Sequence, residues 1–218
     1  MSYLELNDVS FGDGETKVIN KVSLTIDKGD YISIVGPSGS GKSTLLKLCS
    51  NLISPTGGDI IFDGTPIEDY EPTDYRKRVS YCFQQPYLFG QIVEDNISYP
   101  YDIRKLPIDE SRVQQIFDLF HMSSKYRSKK NSSLSGGEKQ RICLIRSLLF
   151  LPEVLLLDEV TSSLDQANTL LVESVLKHLH EVEGLTILAV THNEEHSKRN
   201  VNRRLTIVSG EVAKEEVF

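Results

Sequence analysis

The feature that most constrains this chain is a glycine-rich loop that lies between an apolar run and a helical pattern. It reads Gly36-Pro-Ser-Gly-Ser-Gly-Lys-Ser43 and fits the pattern GxxxxGK[ST]. The run before it, Tyr31–Val35, predicts a short strand buried on both faces of a sheet. In such a loop the glycines let consecutive backbone N–H groups turn inward, and the following helix adds the positive end of its dipole. The sequence therefore predicts a site for the phosphates of a nucleotide.

Individual positions of the loop have expected roles. Lys42 is expected to reach the β- and γ-phosphates, Ser43 to offer its hydroxyl to Mg²⁺, and Thr44 to contact the α-phosphate end. The pattern alone does not say how the nucleotide is used, because kinases, GTPases and other nucleotide-driven proteins share it. The predicted nucleotide-binding residues of the loop are Gly36, Pro37, Ser38, Gly39, Ser40, Gly41, Lys42, Ser43 and Thr44.

A second predicted strand ends in two adjacent acids. Residues 154–157 are all apolar and are followed by Asp158 and Glu159. A buried carboxylate at the end of a core strand needs a partner, and Mg²⁺ with its water shell is the natural one beside a nucleotide. We expect Asp158 to hold the metal, directly or through water, and Glu159 to polarise an attacking water. A surface turn after a core strand is the alternative interpretation.

The hydrophobic pattern elsewhere predicts an α/β core with a helical insertion. Period-two apolar residues near the N terminus predict antiparallel strands, and the pair Asp63-Gly64 predicts a hairpin on the same layer. A helix after the loop is expected to have its last apolar residue at Leu52. Residues 88–151 read as helical, with Asp109 as a cap. Alternation of strands and helices then resumes, and the final strand is expected at residues 205–208.

Composition excludes several classes of protein. The 218 residues include 24 basic and 31 acidic side chains, a formal charge of −7, so the net field repels a nucleic acid. Two basic clusters, at residues 125–130 and 198–204, are expected to be solvated faces. Cys49, Cys82 and Cys143 show no CxxC spacing and are expected to be reduced thiols. No secretory signal or apolar stretch of about 20 residues is recognisable, so we expect no membrane span.

One further segment decides among proteins with a phosphate loop. It reads Leu134-Ser-Gly-Gly-Glu-Lys-Gln-Arg141 and resembles the LSGGQ signature of ABC ATPases. Glu138 stands where glutamine is most familiar, a departure that the family pattern tolerates. A helix N terminus is again the expected phosphate ligand, because the Ser135 hydroxyl and the N–H groups of Gly136 and Gly137 can grip a γ-phosphate. In isolation, Ser-Gly-Gly would read as an ordinary helix cap.

The resemblance to ABC ATPases covers essentially the whole chain and implies further roles. Gln84 is similar to the Q-loop glutamine that contacts metal and water, residues 162–165 resemble the D-loop, and His192 resembles the switch histidine at the γ-phosphate. The resemblance thus implies a catalytic group of Glu159, His192 and Gln84, and metal ligands Ser43, Gln84 and Asp158.

The adenine contact departs from the family pattern. ABC domains commonly carry an aromatic residue that stacks on adenine shortly after the first strand, and by position it would fall near Asp13. The nearest aromatic residue is Phe11. Either Phe11 stacks on adenine, or Phe11 belongs to the core and adenine is held loosely.

The fold implied by the resemblance is α/β, a P-loop NTPase of the ABC ATPase type. It would contain a mixed central sheet, an N-terminal antiparallel β layer and an inserted α-helical subdomain. Residues 1–87 and 152–218 would form the ATP-binding core, and residues 88–151 the helical subdomain with the signature. In this family the signature of one subunit completes the phosphate site of the other. The chain is therefore expected to bind ATP and Mg²⁺ as a pair, with a second copy or a relative.

Residues 51–56, 81–90 and 134–152 also resemble the ATPase subunits of Fet-type iron exporters. This implies an integral membrane permease on a separate chain, a peripheral position at the cytoplasmic face of the cell membrane, and iron as a candidate cargo. A soluble ABC scaffold of the iron–sulfur cluster assembly type, without a membrane partner, is the alternative. DNA-repair ABC proteins need a coiled-coil insertion or a second motor, and a metabolic kinase is opposed by the signature.

Overall fold

Two sheets organise the computed structural model, which describes residues 2–14, 16–191 and 196–218. The sheets are built from strands in the following chain order: β1 (Ser2–Asp13), β2 (Thr16–Asp27), β3 (Tyr31–Val35), β4 (Gly57–Phe62), β5 (Thr65–Pro66), β6 (Val79–Cys82), β7 (Val154–Asp158), β8 (Thr186–Val190), β9 (Arg203–Val208) and β10 (Glu211–Val217). The α-helices of the described residues are α1 (Lys42–Cys49), α2 (Pro72–Arg78), α3 (Glu94–Asp102), α4 (Glu110–Leu119), α5 (Gly136–Leu148) and α6 (Gln166–Glu183).

The two sheets differ in strand direction. The smaller one has the order β2-β1-β4-β5 and is antiparallel throughout. The larger one has the order β10-β9-β3-β8-β7-β6. The five strands from β9 to β6 are parallel to one another, and β10 pairs with β9 in the antiparallel direction. The carboxyl ends of β3, β6 and β7 therefore lie at one edge, where the predicted site residues follow them.

The central sheet is buried on both faces. Successive side chains of a strand point to opposite faces, and along β7 Leu156 packs in the core shared with the antiparallel sheet and α1, whereas Leu155 and Leu157 pack in the core shared with α4, α5 and α6. β3 and β8 alternate in the same way. This double burial explains the unbroken apolar runs that the sequence shows before the loop and before the acidic pair.

The helices begin where the sequence offers caps. The Asp109 side chain accepts from Arg112 N at 3.0 Å at the start of α4, and the Asp165 side chain accepts from Asn168 N at 2.8 Å at the start of α6. Helix α6 ends at Glu183 and is capped by Gly184, which has a φ of 70°. None of the described helices is both long and apolar enough to cross a membrane.

The α/β architecture with mixed sheet, antiparallel layer and helical stretch is confirmed. Helices α3, α4 and α5 fall within residues 88–151, and the division of the chain there into two subdomains stays a prediction. The cysteine thiols are free and buried, as expected of reduced thiols.

Three details differ from the sequence-based expectations. Helix α1 ends at Cys49, so Leu52 lies beyond it and is 39% exposed. Helix α2 was not predicted, because it buries only Tyr75 and therefore has no apolar stripe. The strand expected at the C terminus, β9, is not the last one. It is followed by β10, an edge strand of mostly charged residues, which lacks the alternation of apolar and polar residues that a half-buried strand shows.

Candidate active site

The glycine-rich loop leaves the end of β3 and enters α1 with a backbone that only glycine can adopt. Gly36 has a φ of 147°, and a Cβ there would lie 2.0 Å from the backbone oxygen of Ile207 on β9. Gly41 has a φ of 103°, and its Cβ would lie 2.7 Å from the backbone oxygen of Val18 on β2. The loop is thus pressed against two neighbouring strands, which fixes its curvature.

Lys42 is buried although it carries a charge. Lys42 is 4% exposed, and its Nζ donates to the backbone oxygens of Gly36 at 3.0 Å and Pro37 at 2.9 Å. Within the described residues no carboxylate pairs with it. A buried ammonium held only by neutral carbonyl oxygens is suited to receive an anion such as a phosphate.

Asp158 presents the opposite charge a short distance away. It ends β7, is 6% exposed, and accepts hydrogen bonds from Ser43 Oγ at 2.8 Å and Tyr81 Oη at 2.7 Å. Both donors are neutral, and no cation among the described residues pairs with the carboxylate. A carboxylate and a hydroxyl in contact are oxygen ligands of the kind that Mg²⁺ takes, with phosphate oxygens and water completing its shell. Ser43 and Asp158 therefore fit a magnesium ion bound with a nucleotide.

Glu159 and Gln84 meet beside this pair. Glu159 follows Asp158 with a φ of 52°, and its Oε2 accepts from Gln84 Nε2 at 2.8 Å. Gln84 lies just beyond β6, so the contact joins the ends of two neighbouring strands. The structure thus brings together Gln84, Glu159, Asp158 and Ser43, and the catalytic and metal-binding roles assigned to them stay predictions.

The remaining predicted loop residues have different environments. Pro37, Ser38 and Gly39 are exposed, and Thr44 is half-buried. Ser40 is buried, and its hydroxyl has no hydrogen-bond partner among the described residues.

Two further expectations from the sequence concern His192 and Phe11. His192 lies outside the described residues. Phe11 is half-buried and packs against the core next to the antiparallel sheet, which favours the second of the two interpretations of that residue.

The signature turn lies at the surface, at the start of α5. Ser135 is the N-cap, its Oγ accepts from Glu138 N at 3.2 Å, and Glu138 Oε2 accepts from Ser135 N at 2.7 Å. This reciprocal pair is a capping box. Ser135 and Gly136 are exposed, so their free donors can reach a second molecule.

Glu138, the departure from glutamine, is held by its neighbours. Its Oε1 accepts from Tyr126 Oη at 2.6 Å, and Lys129 Nζ lies 3.9 Å from the same atom. The hydrogen bond from Tyr126 and that from Ser135 N lower the pKa of Glu138, so it is ionised near neutral pH. The carboxylate therefore completes the helix cap and is already engaged within its own chain.

Glu138→Ala is expected to lower the free energy of unfolding by about 1 kcal/mol, because it removes one half of the capping box and the acceptor of Tyr126. Glu138→Gln is the matched control and should lose less, since an amide oxygen can still accept from Ser135 N. Urea unfolding followed by circular dichroism measures both. Equal stability of Glu138→Ala and the unchanged chain would contradict the capping role.

Sequence reasoning missed the contact of Tyr81 at the site and the ion pairs that Arg127 forms with two helices. The Tyr81 hydroxyl on Asp158 joins residues that are far apart in sequence; burial first, and then this hydrogen bond, raise the pKa of Tyr81, so the hydroxyl stays protonated and donates. Arg127, expected on a solvated basic face, instead binds Glu94 at 2.5 Å and Glu110 at 2.5 Å. No sequence signal predicts the Tyr81 contact, because it depends on β6 being the strand that pairs with β7.

A groove of about 560 Å³ lies beside the site, between α2 and β6 on one side and α3 and α5 on the other. Its described lining residues include four cations and no carboxylate. The cations are Arg76, Lys77, Arg104 and Arg146, and the aromatic lining residues are Tyr81, Phe83, Phe89, Tyr99 and Phe150. Phe83 is 54% exposed and Tyr99 is 44% exposed.

Most of the groove cations have no acidic partner within the described part of the chain. Arg104 donates to the backbone oxygen of Pro100 at 3.0 Å and stacks on Phe150 at 4.2 Å, and burial lowers its pKa. Arg146 stacks on Phe89 at 4.2 Å. Lys77 alone forms an ion pair, with Asp74. The groove is therefore a basic, aromatic surface that is suited to an acidic, amphipathic segment.

No group of three or more histidine, cysteine, aspartate or glutamate side chains that could hold a metal ion occurs among the residues described.

Comparison with known proteins gives a consistent picture. The sequence profile of the ABC transporter family matches residues 19–162. The chain is 41% identical over 192 residues to the "Probable iron export ATP-binding protein FetA" of Escherichia coli (strain K12), covering 88% of this chain and 85% of that protein.

Solved structures agree with the sequence comparison. The ATP-binding cassette MJ0796, determined as a dimer in a post-hydrolysis state bound to ADP and phosphate, superposes with a TM-score of 0.88 at 29% identity over 98% of both chains. The cbiO1 protein from Clostridium perfringens, part of the ABC transporter complex cbiONQ, superposes with a TM-score of 0.88 at 27% identity, over 100% of this chain and 89% of that one.

Proposed function

The chain belongs to the ABC transporter family and is an ATPase, and from that premise we propose that two copies of it close around ATP and Mg²⁺ and drive a membrane permease carried on a separate chain. The exposed signature turn is the observation that carries the proposal. Ser135 and the first turn of α5 offer phosphate ligands to the outside of the molecule, whereas the phosphate loop holds a lysine that pairs with no carboxylate among the residues described. Each surface supplies what the other lacks, so a second copy completes both sites.

The residues around Asp158 have separate roles in this proposal. Lys42 and the loop N–H groups would bind the phosphates, and Ser43 and Asp158 would hold Mg²⁺, which would supply charge neutralisation to the phosphates. Glu159 accepts a hydrogen bond from the attacking water and so raises its nucleophilicity. Gln84 orients Glu159 through the 2.8 Å contact. We propose that His192 contacts the γ-phosphate, as in the family pattern.

Closure of the dimer around ATP and its opening after hydrolysis would supply the work done on the permease. With ATP bound, the interface gains contacts between each γ-phosphate and the facing signature turn, and hydrolysis removes them. The difference in free energy between the two states is available to a partner. We propose a homodimer at the cytoplasmic face of the membrane, with a relative of this chain as the alternative second subunit.

The basic groove supports a membrane partner. It lies next to Gln84, between the elements that carry the acidic pair and those that carry the signature turn. A cytoplasmic segment of a permease with acidic side chains would pair with the guanidinium groups of Arg76, Arg104 and Arg146, which have no carboxylate partner among the described residues. Docking there would connect the permease to both halves of the ATP site.

Arg104→Glu is expected to reduce the fraction of the chain that sediments with membranes of its native host by roughly tenfold, because it replaces an attractive charge in the groove with a repulsive one. Lys177→Glu, on the exposed face of α6, is the matched control and should sediment as the unchanged chain does. Thermal melting of both variants shows whether they are folded. Undiminished sedimentation of a folded Arg104→Glu would remove the groove as the docking surface.

We propose that the permease exports iron, and the 41% identity with the probable iron export protein FetA supports this cargo. The alternative is a soluble ABC assembly ATPase of the iron–sulfur cluster type. Purification of a tagged chain from detergent-solubilised membranes separates them: a retained multi-span membrane protein supports the transporter, and a soluble partner alone supports the assembly ATPase. Iron efflux from cells lacking the chain, compared with cells that express it, tests the cargo.

A further inference from the structure

Tyr81 belongs to the nucleotide site and to the groove at once. Its hydroxyl donates to Asp158 Oδ2 at 2.7 Å, and its ring lines the groove. The ring also contacts Phe83, with ring centroids 4.8 Å apart and planes inclined by 71°. Phe83 is the more exposed of the two and forms the outer part of the same wall.

The contact completes the fixation of the Asp158 carboxylate. One oxygen accepts from Ser43, which belongs to the phosphate loop, and the other accepts from Tyr81, which belongs to β6. Strands β6 and β7 pair in parallel with Tyr81 opposite Leu156, so the tyrosine reaches forward along the edge to the end of β7. With both oxygens held, the carboxylate has one orientation before a metal arrives, and less ordering is left for the binding step.

We propose that Tyr81 is a positioning residue that holds the Asp158 carboxylate in the orientation that binds Mg²⁺ with ATP, and that it transmits the occupancy of the groove to that carboxylate. The second half of this inference rests on the proposed function of the groove as a docking surface. A segment that presses on Phe83 moves the Tyr81 ring, and the hydroxyl moves with it because the ring is rigid.

The proposed link through Tyr81 differs from the contact that Gln84 makes. Gln84 reaches Glu159, the proposed base, whereas Tyr81 reaches Asp158, the proposed metal ligand. Residues 81–84 therefore touch both acids of the pair, from a stretch that also forms the wall of the groove. A single displacement of this stretch would act on the base and on the metal site together.

The first experiment measures the metal requirement of nucleotide binding. In Tyr81→Phe, calorimetry of ATP binding at increasing Mg²⁺ should show the half-saturating Mg²⁺ concentration raised by roughly threefold to tenfold, as expected for loss of one hydrogen bond to a charged group that water partly replaces. ATP affinity in EDTA should be unchanged. Electron paramagnetic resonance of Mn²⁺ bound with ATP gives a second readout that is independent of turnover.

The matched control is Tyr70→Phe. It removes a hydroxyl that donates to the backbone oxygen of Phe62 at 3.0 Å, away from the site, and it should leave the Mg²⁺ dependence as it is. A Mg²⁺ curve of Tyr81→Phe that superimposes on that of the unchanged chain would overturn the proposal. So would an equal loss of ATP affinity in EDTA, because that would mean general damage to the loop.

The second experiment tests the path from the groove. Phe83→Ala removes the outer ring, and it should shift the Mg²⁺ dependence in the chain that has Tyr81 but add nothing in the chain that has Tyr81→Phe. Additive effects of the two substitutions would overturn the link to the groove. Both experiments use the purified chain without a membrane partner, so their failure is distinct from a failure of the permease assignment, which the sedimentation of Arg104→Glu reports.

Discussion

Glu159→Gln is expected to stop steady-state ATP hydrolysis and to leave ATP trapped in a dimer. The amide cannot accept the proton of the attacking water, so turnover should fall by roughly a hundredfold or more, the range that a general base contributes. The phosphate loop, the Ser43–Asp158 pair and the signature turn are untouched, so nucleotide binding persists. Size-exclusion chromatography in Mg-ATP should show a dimer that the unchanged chain forms only transiently.

The control for this experiment is Lys42→Ala. It also abolishes hydrolysis, but it does so by removing the ammonium that binds the phosphates, so the protein should stay monomeric in ATP. A monomeric Glu159→Gln that still binds ATP, or one that hydrolyses ATP at an unchanged rate, would contradict the role given to Glu159.

Mixing two inactive variants is expected to restore hydrolysis. Lys42→Ala lacks a working phosphate loop, and Ser135→Arg blocks the signature turn, so neither homodimer contains a complete site. A mixed dimer contains one site in which both defects coincide and one in which neither occurs. If the two sites act independently, isolated mixed dimers should release phosphate at about half the rate of the unchanged dimer, since one of their two sites works.

The measurement is phosphate release in a single turnover, with mixed dimers isolated through two different tags. Mixing either variant with itself is the control. Isolated mixed dimers that bind ATP but release no phosphate would show that the sites are not shared between two copies of this chain, and a relative would then be sought as the second subunit.

The parts of the site that the sequence predicted are those in which geometry restricts residue type. A loop that passes 2.0 Å from a neighbouring backbone oxygen at the Gly36 Cβ position admits only glycine, and a strand buried on both faces shows an unbroken apolar run. The acids after β7 stand out because they end such a run. These constraints are local, so one sequence is enough to recognise them.

The parts that could not be predicted depend on which elements lie side by side. The Tyr81–Asp158 contact requires β6 to be the neighbour of β7, a pairing between segments that are 77 positions apart at these two residues. The basic groove combines α2 with α3 and α5, and no single stretch of sequence shows that combination. Strand β10 could not be predicted because it lies at the edge of the sheet and its side chains are little buried.

The two ion pairs of Arg127 have a mechanical consequence. This one side chain fastens the beginnings of α3 and α4, and the preceding residue, Tyr126, fastens Glu138 at the beginning of α5. The beginnings of three helices are thereby linked through two adjacent residues, so a displacement of α3 at the groove would be passed to the signature turn at the start of α5.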